Sequence, residues 1–431
     1  MLVADNATRT QFDLAVVRDQ FPALSDTDHG MSRVYFDNPA GTQVPRQVAE
    51  RMADCLLHAN ANIGGFFRTS ELATAIAHEA RNAMVDFVNA ASSDEIIFGQ
   101  NMTSITFHVS RSIGRMLNAG DEIIVSRMDH DANVEPWVLL ARDHGLKIRW
   151  LPFDTDTFEF DLARLDDLLN KRTRLVCVGA ASNLTGTIND VETICAKARD
   201  AGAWTYIDAV QSAPHVATDV QRIGCDFLVC SAYKFFGPHQ GILWGRREVL
   251  EELEPYRVRP APAELPWCFE PGTQSHEGMA GTAAAVDYFA WIGATMAGEA
   301  GAASGDSVGR SQKIRAAFEY MFAHEKILAA RLIDGLQSIS GIRVLGLTAP
   351  DALNRRVSTV SFTANRRAPS LIAEELAKRN IFAWSGHNYA VEAAKALGIL
   401  ETGGAVRIGA VHYNSLEEVD QALNAIEDIL A

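Results

Sequence analysis

Short runs of aliphatic and β-branched residues alternate with amphipathic stretches between about Pro45 and Gly245. The runs predicted to be strands are EIIFGQ, DEIIVSRM, KIRWLPF, RLVCVGAAS, WTYIDAV, DFLVCSA and GILWG. Helical patterns such as TSITFHVSRSIGRML and VETICAKARDAG lie between them. This alternation predicts an α/β fold, with a mostly parallel sheet covered by helices on both faces. Ligands of such sheets bind at the carboxyl ends of the strands, so polar residues there are the candidates for chemistry.

The pattern changes after Glu254. A proline-rich stretch, YRVRPAPAELPWCFEPGT, predicts an extended arm or hairpin, and a long helical region follows to Leu336. Next come the strands GIRVLGL and RVSTVSFT, helix PSLIAEELAKR, strands NIFAWSG and AVRIGAV, and a last helix from Ser415. This order suggests a smaller α+β domain. We therefore expect an N-terminal segment that packs with the small domain (residues 1–44), a large domain (45–290) and a small C-terminal domain (291–431).

Composition narrows the classes of partner. The 431 residues carry a formal net charge of −15, with 48% hydrophobic and 22% charged residues, a balance typical of a soluble globular protein. The length suggests two domains. The negative charge argues against a nucleic-acid partner or an anionic membrane surface, because both need faces rich in Lys and Arg. A local basic pocket for one small anion remains compatible with it.

The N-terminus, MLVADNATRT, has no basic segment followed by an apolar one, so no secretory signal is predicted. No uninterrupted apolar stretch reaches the ~20 residues that a membrane helix needs. The six cysteines are scattered without a C-x-x-C pair, which argues against a zinc site or a disulfide framework. We expect no metal, no membrane partner and a cytoplasmic location.

Lys234 lies in the run SAYKFFGP, directly after the predicted strand DFLVC. A lysine among apolar and aromatic neighbours is unusual, because lysines are rarely buried unless they are paired. Partial burial lowers the pKa of an amine, as a lysine that forms a Schiff base requires. The alternative is a lysine at a strand end whose ammonium reaches solvent.

Asp208 ends the strand WTYID, about one strand–connection–strand unit before Lys234. A carboxylate at a strand end can hydrogen-bond a pyridinium nitrogen and keep it protonated, although many such aspartates only cap a helix or form a turn. The two residues in this order favour pyridoxal 5'-phosphate as the cofactor. The run NMTSIT opens a helix after EIIFGQ, where N–H groups and hydroxyls can bind a phosphate, yet many helices that bind nothing also begin with Thr or Ser.

Further motifs extend this pattern along the chain. In order they are DNPAG, MDHDAN, SNLTGT, IDAVQSAPH, SAYKFFGP, FEPGT and VRIGAVHYN. From about Tyr35 to the C-terminus the chain thereby resembles the cysteine desulfurase and selenocysteine lyase branch of the class V aminotransferase superfamily, although no single motif carries the resemblance. It implies a fold-type I pyridoxal-phosphate enzyme that acts on a small amino acid. It also implies a homodimer in which both chains contribute to each site.

The resemblance implies roles for individual residues around the cofactor ring. Lys234 would attach the cofactor, Asp208 would pair with its pyridine nitrogen and His130 would stack on its ring. These three are the expected catalytic residues. Asn183 and Gln211 would face the phenolic oxygen of the cofactor. The alternative for His130 is a surface histidine in a polar turn.

The resemblance also implies how anionic groups are held. Thr103 and Ser231 would bind the cofactor phosphate, and Thr273 would reach the same phosphate from the partner chain. Arg407 would grip the substrate carboxylate with its bidentate guanidinium. On its own, Arg407 in the strand AVRIGAV is equally compatible with a structural ion pair.

One loop departs from the family pattern. Desulfurases of this branch carry a cysteine in a run like R-x-G-H-H-C-A, and the matching run here is WSGHNYA, with Trp384 at the arginine position and Tyr389 at the cysteine position. A phenol cannot accept sulfur as a persulfide, because that requires a thiolate. Cys268 in PWCFEPGT is the one cysteine expected near a pocket, with a structural role as the alternative. Tyr233 also replaces a family histidine, which alters one phosphate contact.

The expected reaction follows from these residues. We expect a pyridoxal-phosphate enzyme acting at the α-carbon, with Lys234 as the base for the α-proton. The first expectation is a C–S or C–Se lyase that works by β-elimination on a cysteine-type amino acid, without a persulfide cysteine. The alternatives are an aminotransferase, an epimerase, or a protein that binds the cofactor without turnover and serves as a partner.

Overall fold

A seven-stranded sheet forms the centre of the fold. The computed structural model describes residues 12–298 and 309–431. The strands of the sheet are β1 (Ile96–Gly99), β2 (Glu122–Ser126), β3 (Lys147–Leu151), β4 (Thr173–Gly179), β5 (Trp204–Asp208), β6 (Phe227–Ser231) and β7 (Gly241–Gly245). They lie in the order β1-β7-β6-β5-β4-β2-β3, in which only the pairs made by β7 are antiparallel. The mostly parallel sheet predicted from the sequence is confirmed.

Helices cover both faces of this sheet. Side chains along a strand point alternately to the two faces, and in β4 Val176 and Val178 join one apolar cluster while Leu175 and Cys177 join the other. The first cluster is covered by helices Arg68–Val88, Val191–Asp200 and His276–Met296. The second is covered by helices Met102–Gly114, Glu135–His144 and Arg247–Glu252. Burial on both faces explains why the strand sequences are continuously apolar.

A second, antiparallel sheet belongs to the C-terminal part of the chain. Its strands are β8 (Ile342–Leu345), β9 (Thr359–Ala364), β10 (Trp384–Gly386) and β11 (Ala405–Gly409), in the order β8-β9-β11-β10. A third apolar cluster joins this sheet to its helices, which are Arg310–Ser338, Pro369–Ala377 and Leu416–Leu430. The predicted α+β unit is therefore present.

The prediction of one strand over NIFAWSG was wrong. Ile381–Phe382 pairs in parallel with Val34–Tyr35, whereas Trp384–Gly386 pairs with β11. The run splits because its two halves find hydrogen-bond partners in different sheets. The N-terminal segment also reaches the end of β11, where Asn38 Nδ2 donates to the Gly409 carbonyl at 2.7 Å. The division of the chain at residues 44 and 290 stays a prediction.

The proline-rich segment after Glu254 contains no strand before the helix at His276, so it is an arm and not a hairpin. It includes one short 3₁₀ turn, Trp267–Phe269. Further α-helices are Leu14–Arg18, Arg46–His58, Leu162–Leu168, Val220–Ile223 and Val391–Ala396. Across the described ranges, no helix is long and apolar enough to cross a bilayer.

Candidate active site

The carboxyl ends of the central strands meet at a cavity of about 610 Å³. Residues directly at or after β1, β2, β4, β5 and β6 face it, as expected for a sheet of this type. Nine residues were predicted to form the site, and eight of them line this cavity: Thr103, His130, Asn183, Asp208, Gln211, Ser231, Lys234 and Arg407. The fold therefore brings together side chains that are up to three hundred residues apart in sequence.

Thr273 is the predicted residue that this chain does not bring to the cavity. It lines a second cavity of about 580 Å³ together with Ser104 and His239, and His239 also lines the first cavity. The Thr273 side chain is exposed. Its contribution from a partner chain stays a prediction.

Lys234 ends a 3₁₀ turn, Ala232–Lys234, that directly follows β6. Its Nζ donates to the Pro39 carbonyl and lies 4.8 Å from the centre of the Tyr233 ring. Burial, together with the positive charge of Arg407, lowers the pKa of Lys234 to about 7. The negative charge of Asp208 acts to raise the pKa of Lys234. Near neutral pH a large share of the amine is unprotonated and available as nucleophile or base.

Asp208 is a buried carboxylate at the end of β5. Its Oδ1 accepts the Val210 N–H at 2.8 Å. Burial, together with the nearby charge of Asp129, raises the pKa of Asp208 to about 7 against the opposing charge of Lys234. An N–H⁺ donor in the cavity would stabilise the charged carboxylate. The pyridinium nitrogen of pyridoxal phosphate is such a donor.

Asp129 is a cavity residue that sequence reasoning missed. It lies beside His130 after β2, accepts from the Ser126 hydroxyl at 2.5 Å and accepts from Asn133 Nδ2 at 2.8 Å. Burial raises the pKa of Asp129 to about 6. The signal available in the sequence was an acidic residue on each side of His130 in MDHDAN, which is also typical of an ordinary turn.

His130 presents a neutral ring to the cavity. Its Nδ1 accepts the Ala132 N–H at 3.0 Å, so the proton of the neutral ring is on Nε2. Burial, together with the charges of Lys234 and Arg407, lowers the pKa of His130 to about 3. The Tyr389 ring stacks on it, with centroids 5.2 Å apart and planes 15° apart. The alternative of a surface histidine does not fit this position.

Arg407 is buried in β11 with only part of its guanidinium satisfied. Its Nη1 donates to the Asn183 carbonyl at 3.0 Å, whereas its Nε and the Asn183 Oδ1 have no hydrogen-bond partner within the described residues. Burial lowers the pKa of Arg407 to about 10, and Asp37 acts against this. Within the described residues Arg407 also makes no ion pair with a carboxylate. A role for Arg407 as a structural ion-pair partner is therefore not supported. Buried donors without partners fit an anionic ligand.

The N-terminus of helix Met102–Gly114 forms another side of the cavity. Ser231 Oγ accepts the Met102 N–H at 3.0 Å, and Asn101 Oδ1 accepts the Ser104 N–H at 2.9 Å. Gly241 permits the close approach of this helix to β7, since a Cβ there would lie 2.5 Å from the Asn101 carbonyl carbon. The positive end of the helix dipole and the hydroxyls of Thr103 and Ser231 fit a cofactor phosphate.

No cysteine lines the cavity. All six lie in the described part of the chain, and each is buried and unpaired. Cys268 does lie beside a cavity, but it is a separate one of about 370 Å³, so the alternative of a structural role fits this residue. Burial raises the pKa of the Cys268 thiol. The cavity wall instead contains Tyr389 and Trp384, both exposed.

Comparisons with known proteins agree with this geometry. Residues 34–304 and 312–422 match the aminotransferase class-V family. A probable cysteine desulfurase of Streptomyces coelicolor is 31% identical over 97% of this chain and 97% of its own length. An aminotransferase-like protein of Gibberella zeae is 32% identical over 98% of this chain and 99% of its own.

Solved structures extend the likeness to the fold. The apo cysteine desulfurase of Thermococcus onnurineus NA1 superposes with a TM-score of 0.84 at 29% identity, over 96% of this chain and 98% of its own. The cysteine desulfurase CsdA of Escherichia coli gives a TM-score of 0.82 at 27% identity, over 97% and 98%. Family match, fold and cavity together establish that the chain belongs to the class-V aminotransferases and is a pyridoxal-phosphate-dependent enzyme of fold type I.

Proposed function

We propose that this enzyme cleaves the C–S or C–Se bond of a cysteine-type amino acid by β-elimination, without passing sulfur to a cysteine of its own. One observation carries the proposal: the cavity holds a lysine, a buried aspartate and a buried arginine, but no thiol. Tyr389 takes the place in the sequence where desulfurases of this branch have their cysteine. A phenol is not a sulfur acceptor.

The cofactor ring would be held by three side chains at strand ends. Lys234 provides the amine for covalent attachment, Asp208 the carboxylate for the pyridine nitrogen and His130 a flat neutral surface. Asn183 and Gln211 would face the phenolic oxygen. Support for Gln211 comes from its fixed amide, whose Nε2 donates to Thr359 Oγ1 at 3.0 Å and retains a second hydrogen.

The phosphate would lie at the N-terminus of helix Met102–Gly114, between Thr103 and Ser231. A homodimer would add Thr273 of the second chain, which is consistent with its exposed side chain in this one. A cytoplasmic location is supported by six cysteines that are all unpaired.

The chain's own groups, together with the bound cofactor, account for each step of elimination. Arg407 binds the substrate carboxylate and thereby orients the α-carbon. Pyridoxal phosphate, when bound, withdraws electrons from that carbon and acidifies its proton. Lys234 Nζ takes the α-proton, and the electrons of the C–H bond expel the sulfur from the β-carbon. The sulfur leaves as a thiol after gaining a proton, and the three-carbon remainder takes up water to give pyruvate and ammonium.

The retained lysine, aspartate and arginine count against a protein that binds the cofactor without turnover. Transamination and epimerisation use the same α-proton transfer, so only product identity separates them from elimination. Transamination would convert the amino acid into its keto acid with sulfur retained. Epimerisation would return the other enantiomer.

Mapping of persulfides tests the proposal. The protein is incubated with L-cysteine, its thiols are trapped by alkylation, and adducts are located by mass spectrometry. We expect no substrate-dependent persulfide on any cysteine, and Cys268→Ser within a few-fold of the parent activity. A persulfide on Cys268 that disappears together with activity in the serine variant would return the protein to the desulfurases.

A further inference from the structure

The outer wall of the cavity is built from strand β10 and the loop that follows it. Six consecutive residues, 384–389, line it. Two of them carry large rings: Trp384 is 53% exposed and Tyr389 is 66% exposed. Single exposed apolar residues are normal, but two aromatic rings at the mouth of a ligand cavity form a surface that a ligand can cover.

Trp384 lies beside the arginine of the site. In the antiparallel pair of β10 and β11, Trp384 is directly opposite Arg407. Side chains of directly opposed residues point to the same face of a sheet. A substrate whose carboxylate is bound by Arg407 therefore has the Trp384 indole as its neighbour.

Tyr389 is fixed in the wall by several contacts. Its carbonyl accepts the Asp131 N–H at 2.7 Å, its own N–H donates to His387 Nδ1 at 3.0 Å, and its ring stacks on His130. Asn183 Nδ2 holds the preceding carbonyl of Asn388 at 2.7 Å.

The backbone of this loop is strained. Asn388 and Tyr389 have φ values of 52° and 59°, in the left-handed region that L-residues avoid. Such conformations persist where the surroundings over-determine them, and they cluster at functional sites. The backbone that carries the Tyr389 ring is thus held in place at the cavity wall.

The loop carries no charge to recognise a charged side chain. Residues 384–389 include no Asp, Glu, Lys or Arg. A substrate with a cationic side chain would also approach the cation Arg407 without an acidic partner in the loop. An uncharged, flat side chain has neither disadvantage and gains by covering the rings.

We propose that the substrate carries an aryl or similarly flat apolar group beyond its β-carbon, and that this group packs between Trp384 and Tyr389. The two residues determine specificity through contact with the side chain of the substrate. This inference rests on the proposed function only in placing the substrate carboxylate at Arg407. A cysteine conjugate whose sulfur carries an aryl or arylmethyl group meets both requirements, a carboxylate for Arg407 and a flat ring for Trp384 and Tyr389.

The test uses the holoenzyme and two cysteine conjugates, S-methyl-L-cysteine and S-benzyl-L-cysteine. Binding is followed by the absorbance change of the bound cofactor, and turnover by release of thiol and pyruvate. We expect Kd for the benzyl conjugate to be lower by on the order of tenfold, the effect of burying one ring. Trp384→Ala and Tyr389→Ala should each remove most of this preference, measured as the ratio of the two Kd values in the same variant.

Two controls separate ring contacts from general damage. Tyr389→Phe keeps the ring and should keep the preference. Tyr256→Ala removes a half-exposed ring that stacks on Arg115 at 4.1 Å and lines neither large cavity, so it should change nothing. Cofactor content is measured for each variant to verify folding.

The outcomes distinguish this inference from the elimination reaction. Equal Kd values for the two conjugates, an unchanged preference in both alanine variants, or tighter binding of the cationic S-(2-aminoethyl)-L-cysteine would each overturn it. Tight, ring-dependent binding of the benzyl conjugate without release of thiol would uphold it and refute elimination. Pyruvate formed from both conjugates with the same kcat/KM would uphold elimination and overturn the inference about the aryl group.

Discussion

The rate at which the apoprotein attaches pyridoxal phosphate is expected to rise with pH and level off just above neutrality. The nucleophile is the neutral amine of Lys234, whose pKa burial lowers to about 7 from the usual 10.5. The neutral fraction then grows from roughly one tenth at pH 6 to roughly nine tenths at pH 8, about tenfold. A lysine with an ordinary pKa would instead gain about a hundredfold over the same range and would continue to climb.

Two variants are expected to shift the midpoint of the pH–rate profile in opposite directions. Arg407 lowers the pKa of Lys234, so Arg407→Met should move the midpoint of the pH–rate profile upward. Asp37 raises that pKa, so Asp37→Asn should move the midpoint downward. Both residues lie near the amine, and general damage to the site would not shift the midpoint in two directions.

The assay mixes apoprotein with pyridoxal phosphate between pH 6 and about pH 9.5 and follows visible absorbance. Noncovalent uptake by Lys234→Ala serves as the control, because the phosphate itself titrates near pH 6. A rate that increases tenfold per pH unit throughout the range would refute the assigned pKa. Midpoint shifts in the same direction for both variants would refute the assigned electrostatics.

Three further changes have expected outcomes. Arg407→Lys should weaken the binding of amino acids, followed by the absorbance of the bound cofactor, by about 1.5–3 kcal/mol, on the order of tenfold to a hundredfold. The reason is that a bidentate contact to the carboxylate is lost. Equal weakening for an amine without a carboxylate would contradict this. Gly241→Ala should lower stability in a thermal melt by about 1–3 kcal/mol and reduce cofactor affinity, because its Cβ would meet backbone at 2.5 Å. Unchanged stability and cofactor affinity would contradict this. Glu325→Ala should lower the free energy of unfolding by about 1–3 kcal/mol in denaturant, because it leaves buried His215 Nδ1 without its hydrogen-bond partner 2.6 Å away. A loss below about 0.5 kcal/mol would contradict this.

The central sheet was predictable because each strand is a continuous apolar run between turn signals. The run LVCV is buried on both faces, as four consecutive apolar residues in a parallel sheet covered by helices should be. The prediction of a single strand over NIFAWSG was wrong because its pairing depends on distant segments. Its halves pair with Val34–Tyr35 and with β11, and the choice of partners is made by segments that lie far away in sequence.

The site was predictable as far as it depends on strand ends. Lys234, Asp208 and Ser231 follow from their positions after predicted strands and from the family resemblance. Asp129 was missed because a carboxylate in a polar turn has no distinguishing local pattern. The surroundings of Tyr389 were also out of reach, since the hydrogen bonds that hold its loop come from Asp131 and Asn183.

The products formed from a cysteine-type amino acid test the central claim most directly. The holoenzyme is supplied with L-cysteine and S-benzyl-L-cysteine, and pyruvate, alanine, ammonium and released thiol or sulfide are quantified together, with Lys234→Ala as the inactive control. Elimination predicts pyruvate, ammonium and the sulfur compound in equal amounts, with no alanine. Alanine formed together with a protein persulfide would contradict the account.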